Sequence, residues 1–165
     1  MAKKTLDQQV IKAGERILER EELVKLALAI GLEKKATRPL AIDLRNQGAF
    51  TEYFAILSAA NARQVAAVAE DIRLFFRDQL GLLPVAIDGR EQRTWILLDY
   101  GFMFVHVFQD PTRELYSLEK LWSKGRYMTP SEQDLSALLA EVKAALPKTA
   151  SPIDVESDEL NHSSL

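Results

Sequence analysis

The stretch Trp95–Phe108, WILLDYGFMFVHVF, constrains the fold more than any other part of the chain. Two apolar runs flank Asp99-Tyr100-Gly101, a trio with turn chemistry, so the stretch predicts a tight antiparallel hairpin. In its second strand Phe102, Phe104, His106 and Phe108 share one face, and Met103, Val105 and Val107 share the other. Both faces are apolar, which places this strand inside a sheet covered on both sides. All thirteen aromatic residues lie between Phe50 and Tyr127. That interval therefore carries the core, because aromatic rings dominate buried area.

The flanking sequence supplies the rest of the sheet and its helices. Pro39–Leu44 and Tyr53–Ala59 read as strands, and Leu82–Gly89 as a short one that starts at or after Pro84. Asn61–Leu80 predicts an amphipathic helix with an apolar stripe through Val65, Val68, Ala69, Ile72, Phe75 and Phe76. Asn61 caps it, Gln64 closes a capping box and Gly81 ends it. A short helical or irregular piece follows over Pro111–Tyr127. Thr129-Pro130-Ser131-Glu132 then starts another helix, with Thr129 as cap and Leu135, Leu138, Leu139, Val142 and Leu146 on one face. At the N-terminus, Leu6, Val10, Ala13, Ile17, Val24 and Leu28 recur at helical spacing, so residues 5–35 predict one helix, or two broken at Arg20-Glu21-Glu22.

The expected architecture is an α/β domain with a mixed five-stranded sheet flanked by helices. Residues 1–20 form an N-terminal helical extension in this reading, 21–127 the α/β domain, 128–146 an added C-terminal helix and 147–165 a disordered acidic tail.

Charge narrows the choice of partner. The tail holds Lys148 against Asp154, Glu156, Asp158 and Glu159, which accounts for the whole net charge of −3. The remainder is balanced and lacks the basic face that phosphate backbones require. There is no cysteine, hence no disulfide, thiolate metal site or thiol nucleophile. No apolar run approaches the ~20 residues of a membrane helix, and the N-terminus lacks a signal core. A cytoplasmic location is expected.

Motifs for chemistry are sparse. There is no Gly-rich phosphate loop and no Gly-x-Ser-x-Gly. The only histidines are His106 and His162, so no cofactor or metal is expected. One enzymatic alternative stays open: Asp43 and Asp99, both at strand ends, could hold Mg²⁺ in a nucleotidyl transferase or nucleotide-binding enzyme. Against it, neither acid belongs to a closely spaced pair. Asp99 reads more simply as a turn residue and His106 as a buried, hydrogen-bonded imidazole. Trp95 and Tyr100 flank the hairpin tip and belong to residue types that anchor interfaces.

Six blocks together resemble the ribosomal silencing factors, or Iojap-like proteins. They are AIDLR (Ala41–Arg45), TEYFAILSAANARQV (Thr51–Val65), GLLPVAIDG (Gly81–Gly89), WILLDYG (Trp95–Gly101), VHVF (Val105–Phe108) and RELYSLEKLW (Arg113–Trp122). The resemblance implies a fold related to nucleotidyl transferases without their catalytic acids, and a function that is not enzymatic. It also implies binding to the large ribosomal subunit through the universal protein uL14 on its intersubunit face. The implied consequence is a block on subunit joining that lowers translation when nutrients are scarce. Carried across, the resemblance nominates Trp95, Asp99, Tyr100 and Gly101 as docking residues, with Arg113, Tyr116 and Glu119 beside them. This chain departs from the pattern at Glu52 and Phe102, each in place of an Asp, and at Asn61 in place of a Ser. Self-association of the free chain through the same apolar surface is a third reading.

Overall fold

The computed structural model describes residues 9–148. The start of the expected N-terminal helix and all but the first two residues of the acidic tail lie outside them. The sheet has six strands rather than the five expected, in the order β5-β6-β7-β4-β3-β8. These are β3 (Thr37–Asp43), β4 (Tyr53–Ala59), β5 (Ala86–Asp88), β6 (Trp95–Asp99), β7 (Met103–Gln109) and β8 (Arg126–Met128). Only β4 and β7 pair in parallel; every other pair is antiparallel. The hairpin places β7 between β6 and β4, an interior strand as its two apolar faces predict. The strand missed from the sequence is β8, a three-residue edge held to β3.

The N-terminal expectation is corrected. Ile11–Ala13 (β1) and Arg16–Leu18 (β2) form a separate two-stranded hairpin, and helix α1 runs only from Arg20 to Glu33. Gly14, with φ of 60°, supplies the turn between the two strands. Ile11, Ala13 and Leu18 point into the core, while Val10 and Ile17 of the supposed helical stripe face water.

Helix α2 (Ala62–Leu80) follows its sequence signals. Asn61 Oδ1 accepts from the Gln64 N–H at 2.9 Å. The Gln64 side chain accepts from the Ala60 N–H at 2.7 Å, one residue earlier than a capping box requires. Its amide also donates to the Lys34 and Lys35 carbonyls, joining the start of α2 to the end of α1. Gly81 closes the helix in the left-handed conformation. Helices α3 (Asp110–Tyr116) and α4 (Leu118–Leu121) follow β7. Helix α5 spans Glu132–Ala145, and its cap is Ser131, which accepts from the Asp134 N–H, rather than Thr129.

The two faces of the sheet are covered unequally. Helices α1, α2 and α5 and the β1–β2 hairpin lie on one face. Leu23, Val24, Leu28, Ala55, Leu57, Val68, Ile72, Phe76, Val105 and Val107 fill the core there. Helix α5 lies on α1 through Leu135, Leu139 and Val142, so α1 is apolar on both sides. The opposite face carries a smaller cluster of Leu40, Ile42, Leu44, Phe54, Ile56, Phe108 and Leu118. Only the short α3 and α4 cover it, and on its β6–β7 side Trp95, Leu97, Asp99 and Phe104 stay partly accessible.

Candidate docking face

The open face is built by alternation along two paired strands. Trp95, Leu97 and Asp99 of β6 point to it, as do Phe104, His106 and Phe108 of β7. Trp95 is half-buried and lies between two rings. Its indole stacks on Phe108 (centroids 4.8 Å apart, planes 27°) and contacts Tyr116 of α3 (4.8 Å, 49°). Tyr116 is 52% exposed and Leu121 of α4 70% exposed, and Tyr127 of β8 is also accessible. Phe54 meets Trp122 edge to face at 6.2 Å. The result is an apolar, aromatic shelf partly open to water.

The Trp95 Nε1–H donates to His106 Nδ1 at 3.1 Å. Burial pushes the imidazole pKa down to about 3, so the ring is neutral at any ordinary pH. With Nδ1 accepting, the single ring proton sits on Nε2, and that buried atom has no partner. Leaving a buried donor unpaired costs about 1–3 kcal/mol.

Arg113 and Glu119 support the shelf from below. The Arg113 guanidinium is buried. It donates through Nε to Glu119 at 2.9 Å and through Nη1 to Ser58 Oγ at 2.9 Å and the Arg38 carbonyl at 2.7 Å. Arg38 has φ of 53° where the β3–β4 register slips, and this irregularity turns its carbonyl to Arg113. One side chain thus ties α3 and α4 to β3 and β4, fixing where Tyr116 stands. Burial pulls the Arg113 pKa below its ordinary value, opposed by Glu119.

The nominated residues fall into two groups. Trp95, Arg113, Tyr116 and Glu119 come together. Asp99, Tyr100 and Gly101 lie at the far end of β6, about 13 Å along the strand at ~3.3 Å per residue. Asp99 Oδ1 accepts from the Gly101 N–H at 2.8 Å, and Gly101 sits at φ 85°, which is turn chemistry. Tyr100 is 0% exposed and lies on the helical side, 5.3 Å from the Phe76 ring. Its hydroxyl has no partner, and burial raises its pKa well above the ordinary tyrosine value. Phe102 is likewise buried, with the Arg20 guanidinium 5.4 Å over its ring. The ring in place of the family's usual acid thus belongs to the core.

Asp43 and Asp99 do not form a shared site. They occupy opposite faces of the sheet, three strand spacings or about 14 Å apart at ~4.8 Å each. Asp43 is taken up by arginines: Arg45 grips both oxygens, at 3.0 Å and 2.7 Å, and Arg126 reaches Oδ2 at 3.1 Å. The Arg45 bonds, with a smaller share from Arg126, hold its pKa down to about 2. Among the described residues no group of three or more acids and histidines is placed to hold a metal, and no helix is long and apolar enough to cross a membrane.

Sequence reasoning missed the bond between Trp95 and His106 and the exposed Leu121 and Tyr127. The first was readable in principle. A hairpin turning at Tyr100–Gly101 pairs Leu97 with His106 and Trp95 with Phe108, which sets Trp95 diagonal to His106 on one face.

The α/β domain thus has one face covered by helices and one partly accessible aromatic face. The sequence profile of the family described as "Ribosomal silencing factor during starvation" matches residues 17–160. The chain is 33% identical over 102 residues to the ribosomal silencing factor RsfS of Halalkalibacterium halodurans, covering 62% of this chain and 86% of that one. A mouse protein named "Mitochondrial assembly of ribosomal large subunit protein 1" is 33% identical over 76 residues, 45% of this chain and 33% of its own. A crystal structure of a Chromobacterium violaceum protein matches with a TM-score of 0.61 and 27% identity, over 69% of this chain and 92% of that one. The chain belongs to the ribosomal silencing factor family.

Proposed function

We propose that the protein docks its open aromatic face on the large ribosomal subunit and so blocks joining of the small one. The observation that carries this reading is the Phe108–Trp95–Tyr116 stack, a partly exposed aromatic anchor on the sheet face that, among the described residues, only the short α3 and α4 cover. Aromatic anchors set in a packed surround carry most of the energy in protein interfaces. The charge balance outside residues 147–165 favours a protein contact over rRNA, and the intersubunit protein uL14 is the partner proposed. The mouse relative's name refers to assembly of the large ribosomal subunit, and the family description refers to starvation. Repression of translation in the cytoplasm of nutrient-limited cells is the physiological reading. The mechanism is steric and asks no bond-making of any residue.

Gradient sedimentation of lysate tests it. The protein travels with free large subunits, and added protein lowers the fraction of joined ribosomes. Trp95→Ala and Tyr116→Ala abolish both effects with the fold intact. Association with small subunits only, or none at all, rejects the reading.

A further inference from the structure

Four rings line the open face of β4 and β7, and three of them are phenylalanines: Phe54, Phe104 and Phe108. Phe104 is partly buried, while the fourth ring, His106, is buried like Phe54 and Phe108. It meets Phe54 edge to face at 4.5 Å and lies nearly parallel to Phe108, with planes 9° apart. As a packing element a phenylalanine would serve here, and it would remove the orphaned Nε2–H. The imidazole supplies one thing a phenyl ring cannot, the Nδ1 acceptor for the Trp95 indole, and it does so while Nε2 goes without a partner.

We propose that His106 is a positioning residue for docking: it pins the Trp95 indole between Phe108 and Tyr116, at the expense of fold stability. The inference rests on the docking reading above. An indole held by one hydrogen bond and two ring contacts is already in its bound orientation. Without the bond it samples other rotamers, and a partner must freeze it on association, which weakens binding. Stability sacrificed at a binding site for geometry is a recurring trade in proteins.

Two variants of the full chain test this. His106→Phe keeps a ring and removes the acceptor. His106→Asn places an amide oxygen where Nδ1 stands. In ¹H–¹⁵N spectra the chain gives two indole signals, from Trp95 and Trp122, and Trp95→Phe assigns them. The Trp95 indole proton exchanges slowly with water in the native chain, at least about tenfold faster in His106→Phe, and at an intermediate rate in His106→Asn. His106→Phe melts at the native temperature or above, yet binds purified large subunits roughly tenfold more weakly. His106→Asn, though less stable, binds more tightly than His106→Phe per folded molecule. Native-strength binding by His106→Phe overturns the proposal, as does an indole exchange rate indifferent to the substitution. A lower melting temperature for His106→Phe makes the histidine a structural residue and also overturns it. If Trp95→Ala leaves subunit binding intact, the docking reading falls, while the exchange and melting measurements still decide whether His106 pins the indole.

Discussion

Replacing Asp43 by Asn removes a charge that three elements share. In the folded chain the carboxylate accepts from Arg45, two residues further along the chain, and from Arg126 at the start of β8. Arg126 also donates to Glu21 in the first turn of α1 at 2.6 Å. The Asp43 pKa stands at about 2 against an ordinary 3.8, and every tenfold change in proton affinity is worth ~1.36 kcal/mol. The gap sets an upper figure of roughly 2.5 kcal/mol for the preference of the folded state for the charged form. Arg45 and Arg126 are themselves 52% and 56% exposed, so water screens part of that attraction, and about 1.5 kcal/mol is expected. The sign follows from the lowered pKa. The stabilisation is complete above about pH 4 and is lost as pH falls towards 2, where the folded carboxyl takes up its proton. Urea unfolding of the native chain and Asp43→Asn measures the difference. At pH 7 Asp43→Asn is less stable by about 1.5 kcal/mol, and the difference shrinks towards zero near pH 2. A difference that stays constant from pH 7 to pH 2, or one below ~0.5 kcal/mol at pH 7, refutes the ion-pair account. Hydrogen exchange adds a local readout: the β8 amides open more readily in Asp43→Asn, because Arg126 loses one of its two anchors.

Tyr100→Phe removes a buried hydroxyl without a partner and raises stability by about 1 kcal/mol in chemical denaturation, while subunit binding is unchanged. Arg113→Ala strands Glu119 and the Arg38 carbonyl and lowers stability by roughly 3 kcal/mol; Arg113→Lys, unable to reach three acceptors, recovers less than half of this by the same assay. Leu139→Ala leaves a void between α5 and α1 and lowers the unfolding free energy by about 2–5 kcal/mol. In hydrogen exchange its increase in opening is largest in α5.

The hairpin, the interior strand and α2 were legible because each carries its own punctuation: Asp99 and Gly101 at the turn, Asn61 and Gly81 at the helix ends. Residues 11–18 were not. Val10, Ala13 and Ile17 fit helical spacing, while Ile11, Ala13 and Leu18 fit a hairpin turned at Gly14. Packing decides between them. A Cβ on Gly14 would run into the carbonyl of Ala145 at the end of α5, a contact some 130 residues away that no local pattern holds. Strand β8 was invisible for a related reason: two of its three residues are exposed, and it becomes a strand only by pairing with β3. The start signal of α5 was ambiguous in itself, since Thr129–Glu132 and Ser131–Asp134 are overlapping caps. At the docking face, nearness in sequence misled. Tyr100 lies five residues from Trp95, an odd offset that strand alternation turns to the other side of the sheet. The pairing of Trp95 with Tyr116 depends on α3, which Arg113 positions through the bulge at Arg38.

The chain has two tryptophans, and both lie on the open face, Trp95 against Phe108 and Trp122 against Phe54. The helical side holds none. Intrinsic emission excited at the indole band therefore reports on the docking shelf with little contribution from the main core. Solvent quenchers gauge its accessibility directly, and a partner that covers the shelf shields the indoles and changes the signal. The molecule carries its own optical probe where contact is expected, so association can be followed in real time without a label.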